Sequence, residues 1–238
     1  MSTTTNTVRE TVRIPAGGAI LVGDLVVPES ARGLVVFAHG SGSGRTSPRN
    51  QLVASALNEH RLATLLFDLL TPDEVAIDEV TRHLRFDIGF LAKRLVGATD
   101  WTAEHSSIAS LPLGLFGAST GAAAALVAAA SRPESVSAVV SRGGRPDLVM
   151  KILDRVRAPT LLIVGGQDFE VIALNESAFR RLRAPKEMVL VDRASHLFEE
   201  PGAIDEVSRL AAAWFEHYLV ASQSPSSGRT PDPIDEIY

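Results

Sequence analysis

Leu113-Gly114-Leu115-Phe116-Gly117-Ala118-Ser119-Thr120-Gly121-Ala122-Ala123-Ala124 is the stretch that decides the fold. An apolar run, Leu111 to Phe116, enters the Gly-x-Ser-x-Gly turn Gly117 to Gly121, and an alanine-rich run, Ala122 to Ala130, leaves it. Strand, sharp turn, then helix is the context a nucleophile elbow requires. The glycines let the backbone turn tightly and let helix and strand approach each other. The turn lifts the serine hydroxyl above the sheet, at the positive end of the following helix. Ser119 is therefore the candidate nucleophile.

Outward from this turn, strand and helix patterns alternate. Short continuous apolar runs, as buried parallel strands show, occur at Leu34 to Ala38, Ala63 to Phe67, Leu113 to Phe116, Val136 to Val140, Thr160 to Val164 and Met188 to Val191. Before them, Val8 to Ile14 and Ala19 to Val27 flank Pro15-Ala16-Gly17-Gly18 and read as an opening hairpin. Helical patterns fill the gaps at Arg49 to Glu59, Arg85 to Val96, Thr120 to Ser131, Asp147 to Val156, Ile172 to Leu182 and Ile204 to Leu219. In the last of these, Ile204, Val207, Leu210, Ala211, Trp214, Phe215 and Tyr218 recur at helical spacing and mark a buried face. Such alternation implies an α/β protein whose parallel sheet carries helices on both faces.

The bulk numbers narrow the function classes. A chain of 238 residues suits one large α/β domain, expected over residues 1–220. Residues 221–238 read as a disordered tail, because Ser222 to Asp235 is rich in Ser, Pro, Gly and Asp. A net charge of -5 argues against nucleic acid or an anionic membrane as the partner. With no cysteine, disulfides and thiolate chemistry are excluded. No cofactor is implied, and no His-x-x-x-His or clustered carboxylates suggest a metal. The Thr-rich start, Met1 to Glu10, lacks the apolar segment of a secretory signal, and no apolar run has the length of a membrane span. The expectation is a soluble cytoplasmic protein acting on a small molecule, with a second copy of the chain as a candidate partner.

A serine hydroxyl needs a base, and the base needs an orienting group. In doubly wound sheets these gather beyond the carboxyl ends of strands. Asp168 closes Val164-Gly165-Gly166-Gln167-Asp168 directly after an apolar run, with Glu170 and Asp147 as alternatives; otherwise it caps the next helix. Of the 6 histidines, only His196 and His217 follow Asp168. His196 stands in the loop after the last strand, whereas His217 lies within the amphipathic final helix. Ser119, Asp168 and His196 then fall in the order Ser…Asp…His. The backbone N–H of Thr120 and one from the glycine-rich loop His39 to Arg45, preferably that of Ser41, are the candidate oxyanion donors. His39 precedes the nucleophile and reads as a structural loop residue.

Strand-His39-Gly40, the Ser119 elbow, Asp168 after a late strand and His196 after the final one resemble the α/β-hydrolase superfamily, in its short dienelactone hydrolase-like branch. The likeness spans Val8 to Leu219. It implies the α/β-hydrolase fold, with a mostly parallel eight-stranded sheet and no large lid domain. It also implies a serine esterase acting on small esters or lactones, with Ser119 as nucleophile, His196 as base and then acid, and Asp168 as orienter. One departure stands out: true dienelactone hydrolases use a cysteine nucleophile, and this chain has none.

Only Arg142 to Pro159 separates the strand after the elbow helix from the next strand, too little for an inserted lid. The connection Leu70 to Arg85 is the one that could overhang the site, and its run Asp73-Glu74 and Asp78-Glu79 reads as a solvated helical face. Arg142, at the end of its strand, could hold a substrate carboxylate bidentately or brace its loop. Acyl transfer on the same triad is the first alternative function, and a non-catalytic protein on the same fold is another. A third, nucleotide binding, rests on Gly40-Ser41-Gly42-Ser43-Gly44 with Asp68 ending the next strand. The dinucleotide fingerprint, however, would need glycine where Arg45 stands.

Overall fold

The structure is a computed structural model that describes residues 7–220. The tail expected over 221–238 lies outside the described residues. Eight strands form one sheet: β1 (Val8–Ala16), β2 (Ala19–Val27), β3 (Gly33–Ala38), β4 (Leu62–Phe67), β5 (Leu113–Ala118), β6 (Val136–Arg142), β7 (Thr160–Gly165) and β8 (Lys186–Val191). The spatial order is β1-β2-β4-β3-β5-β6-β7-β8. β1 and β2 form an antiparallel hairpin, β2 joins β4 antiparallel, and all other neighbours are parallel. This is the expected α/β-hydrolase sheet.

The central strands β3, β4, β5 and β7 are buried along their whole length. Covered on both faces, they have no polar side to write into the sequence, which is why they read as unbroken apolar runs. One apolar cluster lies on the face covered by α1 (Pro48–Glu59) and α6 (Ala203–Phe215), built on Val35, Phe37, Phe116, Val140 and Phe215. The other lies beneath α3 (Ile88–Glu104), α4 (Thr120–Ser131) and α5 (Phe169–Arg181).

The chain steps from β3 outward to β4, then crosses back to β5 on the other side of β3. Sheet order therefore reverses at β3 and β5, and open α/β sheets bind ligands beyond the carboxyl ends of such strands. The loop carrying Ser41 leaves β3 and the turn carrying Ser119 leaves β5, so both segments open at that crevice.

Several helices differ from expectation. The pattern expected over Arg85 to Val96 resolves into a 3-10 turn, Leu84–Phe86, and α3, which runs on to Glu104. Asp87 starts α3 by accepting a hydrogen bond from the Phe90 N–H at 2.9 Å. The segment expected as a helix over Asp147 to Val156 is a kinked 3-10 stretch, Pro146–Arg155. The final helix ends at Phe215 and continues as a π-turn over Glu216–Val220. Among the described residues no helix is long and apolar enough to cross a membrane.

The connection Leu70 to Arg85 holds a helix, α2 (Pro72–Thr81). Thr71 and Glu74 close its first turn with a reciprocal capping box. Its acidic run is not the solvated face expected. Asp78 is buried and takes hydrogen bonds from the Leu84 N–H, at 2.8 Å, and from the Arg85 guanidinium. Glu74 reaches the Arg94 guanidinium of α3 at 2.6 Å. Only Asp73 and Glu79 are exposed.

Candidate active site

Ser119 has φ 51 and ψ -120, a left-handed conformation that an L-residue adopts only when its surroundings impose it. The surroundings are visible. Its N–H donates to the Arg142 carbonyl at 3.2 Å, and its carbonyl accepts from the N–H groups of Ala122 and Arg145, each at 3.1 Å. A Cβ on Gly117 would collide with Ala122, and a Cβ on Gly121 would collide with the carbonyls of Ala38 and His39. Glycine at these two places lets α4 start hard against the ends of β3 and β5. The half-buried serine is left at the first turn of the helix.

Asp168 occupies the N-cap position of α5 but makes no capping hydrogen bond with its side chain. Its carboxylate instead accepts from His196 Nδ1 at 2.7 Å. The helix-cap alternative is thereby set aside. The rival carboxylates are placed elsewhere: Asp147 forms a fork with Arg145, both contacts at 2.8 Å, and Glu170 is exposed. His217 stacks edge-on to Tyr218 on the far helix, with ring centres 4.6 Å apart. His196 is held beside the elbow through Gly143, where an added Cβ would lie 3.2 Å from the His196 carbonyl and 3.6 Å from its Cε1.

The β3 loop runs against the same serine. A Cβ on Gly40 would lie 3.1 Å from Ser119 Cβ. Buried His39 fastens this loop: its Nε2 accepts from the Leu69 N–H at 3.0 Å, which leaves Nδ1 to donate to the Gly40 carbonyl, also at 3.0 Å. Burial pushes the His39 imidazole below its ordinary range, against the Gly40 bond and Asp68, so it stays neutral. It braces the loop, as its place in the chain suggested. Asp68, which a nucleotide ribose would need, is held by the Arg45 N–H and guanidinium, each at 2.8 Å.

Ser41 and Thr120 line one cavity of about 310 Å³, closed on the other side by Leu70, Val75 and Leu91. α2 lines this cavity through Val75, Asp78 and Glu79, so the connection overhangs the space beside Thr120. Asp78 and Arg85 lock that wall. Burial works against the Asp78 charge, but the Arg85 hydrogen bonds outweigh it and hold the carboxyl below its ordinary range. The pair therefore stabilises the wall above about pH 4 and loses that effect as pH falls through the lowered value. Asp78→Ala leaves Arg85, only partly exposed, without its partner. It is expected to cost about 2 kcal/mol, lowering the melting temperature by about 4–8 °C in a thermal scan.

Arg142 ends β6 on the α1 side of the sheet. Its Nη2 makes a long 3.4 Å hydrogen bond to Asn50 Oδ1, and its guanidinium lies 5.9 Å from the Phe198 ring centre. Nothing in the sequence announced that this arginine has no carboxylate partner among the described residues.

Known proteins share this fold. A crystal structure of a dienelactone hydrolase from Anabaena variabilis is 59% identical, with a TM-score of 0.88, covering 90% of this chain and 99% of that one. Est1E from Butyrivibrio proteoclasticus shares the fold at 14% identity, with a TM-score of 0.74 over 87% of this chain and 98% of its own. A curated relative from Mycobacterium tuberculosis, named "Putative phosphoribosyl transferase", is 53% identical over 210 residues. The match covers 88% of this chain but 46% of the relative, so the chain spans about half the length of the curated relatives it matches. No family model matches.

Proposed function

The chain belongs to the dienelactone hydrolase-like group of the α/β-hydrolases, and on that premise we propose that it is a serine hydrolase of small carboxylic esters or lactones. The observation that carries this reading is the 2.7 Å contact between Asp168 and His196, made by a helix-start aspartate that forgoes capping. With Nδ1–H donated to Asp168, the imidazole keeps a lone pair on Nε2. Nε2 takes the Ser119 proton as Oγ attacks the ester carbonyl. The N–H groups of Thr120 and Ser41 receive the oxyanion; neither has a backbone acceptor among the described residues. The imidazolium then protonates the departing alcohol, and the acyl group stays on Ser119 until water, activated by His196, releases it.

The acyl group lies in the cavity under α2, whose 310 Å³ is at the lower end of small-molecule sites. A serine where true dienelactone hydrolases carry cysteine leaves the reaction type intact and shifts the substrate away from dienelactone itself. The name of the Mycobacterium tuberculosis relative is carried by a chain about twice as long. The elbow and the Asp168–His196 pair supply the parts for acyl chemistry, hydrolysis or acyl transfer, rather than for transfer of a phosphoribosyl group.

A fluorophosphonate probe and a series of p-nitrophenyl esters test the reading. One label is expected on Ser119, with kcat/KM falling as the acyl chain outgrows the cavity. A folded protein that takes no label at Ser119 would end the serine mechanism.

A further inference from the structure

The cavity beside the elbow contains a buried hydroxyl that no described residue satisfies. Thr120 lines this cavity and is 4% exposed, and its Oγ1 is buried with no hydrogen-bond partner among the described residues. The other buried polar side chains of the lining are spent. His39 uses both ring nitrogens, on the Gly40 carbonyl and the Leu69 N–H. Asp78 takes the N–H groups of Leu84 and Arg85 and the Arg85 guanidinium. Ser41, Ser43 and Glu79 also line the cavity, but they are exposed and meet water. The rest of the lining includes the apolar side chains of Leu69, Leu70, Val75 and Leu91.

The position of Thr120 in the chain explains why its hydroxyl is bare. A serine or threonine inside a helix can return its hydroxyl to a carbonyl one turn back. Ser131 does so at the other end of α4, donating to the Val127 carbonyl at 2.8 Å. Thr120 is the first residue of α4, so no helical carbonyl precedes it. Burying a hydroxyl without a partner is costly, and valine would fill the same space without that cost. What enters the cavity can supply the missing acceptor.

We propose that the Thr120 hydroxyl selects acyl groups that carry an oxygen on the carbon next to the ester carbonyl: 2-alkoxyacyl, 2-hydroxyacyl or 2-oxoacyl groups. This rests on the hydrolase reading, in which the Thr120 N–H receives the carbonyl oxygen. The backbone nitrogen and the hydroxyl oxygen of a threonine are three bonds apart. So are the two oxygens of an O=C–C–O unit. One residue can therefore hold both, with its N–H on the carbonyl oxygen and its O–H on the neighbouring oxygen. That second oxygen has only to accept, which an ether, a hydroxyl and a ketone all do. The rest of the acyl group lies against the apolar side chains of the cavity. An acyl group without the oxygen leaves the buried hydroxyl bare, and a site that hydrogen-bonds a substrate atom discriminates against the analogue lacking it.

p-Nitrophenyl methoxyacetate and p-nitrophenyl butanoate test this, since they differ only by an ether oxygen in place of a methylene at that position. Dividing their kcat/KM ratio in the wild type by the ratio in Thr120→Val cancels their unequal intrinsic reactivity. The quotient is expected to be about tenfold or more, the worth of one hydrogen bond between neutral groups. Thr120→Ser keeps the hydroxyl and should retain the wild-type ratio. The urea midpoint of Thr120→Val should be no lower than that of the wild type, because an unsatisfied buried hydroxyl has gone. Three results overturn the proposal. One is a ratio that Thr120→Val leaves unchanged. Another is an equal loss on both esters, which would make the hydroxyl a further oxyanion donor. The third is a lowered urea midpoint, which would make it a brace of the elbow. Calorimetric titration with 2-methoxy-N-phenylacetamide and N-phenylbutanamide reads the same contact without turnover. The methoxy compound should bind about tenfold more tightly to the wild type and lose that advantage in Thr120→Val. Absence of turnover and of Ser119 labelling, with this preference intact, refutes the hydrolase reading and leaves the subsite standing. Turnover of both esters with no such preference does the reverse.

Discussion

Ser119→Ala is expected to lower kcat for an activated ester by about 10⁴-fold or more, with the folded protein intact. The size follows from the proposed role of Ser119 as nucleophile, since losing one member of such a unit costs nearly as much as losing all of it. The fold should survive for a local reason. Serine and alanine both carry a Cβ, so the φ of 51 at this position is equally strained in each. The hydrogen bonds that hold the turn, to Arg142, Ala122 and Arg145, are all made by the Ser119 backbone. A matching urea midpoint with lost turnover is the expected pair of results. Residual hydrolysis above the uncatalysed rate is also expected, because the Ser41 and Thr120 N–H groups remain. Turnover within tenfold of the wild type would place the chemistry somewhere other than the elbow.

How far the sequence could be read depended on what each segment is covered by. All eight strands were legible: the first two as a hairpin around Pro15 to Gly18, and the central ones as apolar runs, because burial on both faces leaves them no exposed positions. The alanine run of α4 was legible too, and most of these alanines are fully buried. The placement of Asp168 and His196 followed from chain order at strand ends, and the structure brings these two side chains together.

What was missed carries its information in pairings. The acidic run suggested a helical face but not the bounds of α2, which is short and exposes Val75, Ile77 and Val80, so it shows no clear apolar stripe. The usable signal was its capping box, Thr71 with Glu74 three residues into the helix. Asp78 looked like one charge in an acidic run, and its burial is set by Arg85, which arrives from beyond the end of that helix. Arg142 is the converse case. A sequence can show an arginine at a strand end, but only packing shows that Asn50 is its hydrogen-bond partner and that no carboxylate among the described residues pairs with it.

Asp168→Asn is expected to lower kcat by about 10⁴-fold, the size of effect known when the orienting carboxylate of such a unit becomes an amide. The side chain keeps its shape, and asparagine is an accepted helix N-cap, so α5 should be no less stable. The change acts through the proton on His196. Aspartate only accepts, so it fixes the imidazole with hydrogen on Nδ1 and a lone pair on Nε2. An asparagine amide can instead donate to Nδ1, which moves the proton to Nε2 and removes the proposed base for Ser119. Glu170→Gln is the matched control: Glu170 is exposed and two residues along the same helix start, and its loss should leave kcat within twofold. Equal losses in the two variants would mean that negative charge near α5 matters and the tautomer does not. A loss confined to Asp168→Asn, with an unchanged urea midpoint, ties the effect to the histidine. It would also separate this aspartate from the helix-capping role that its position alone suggests.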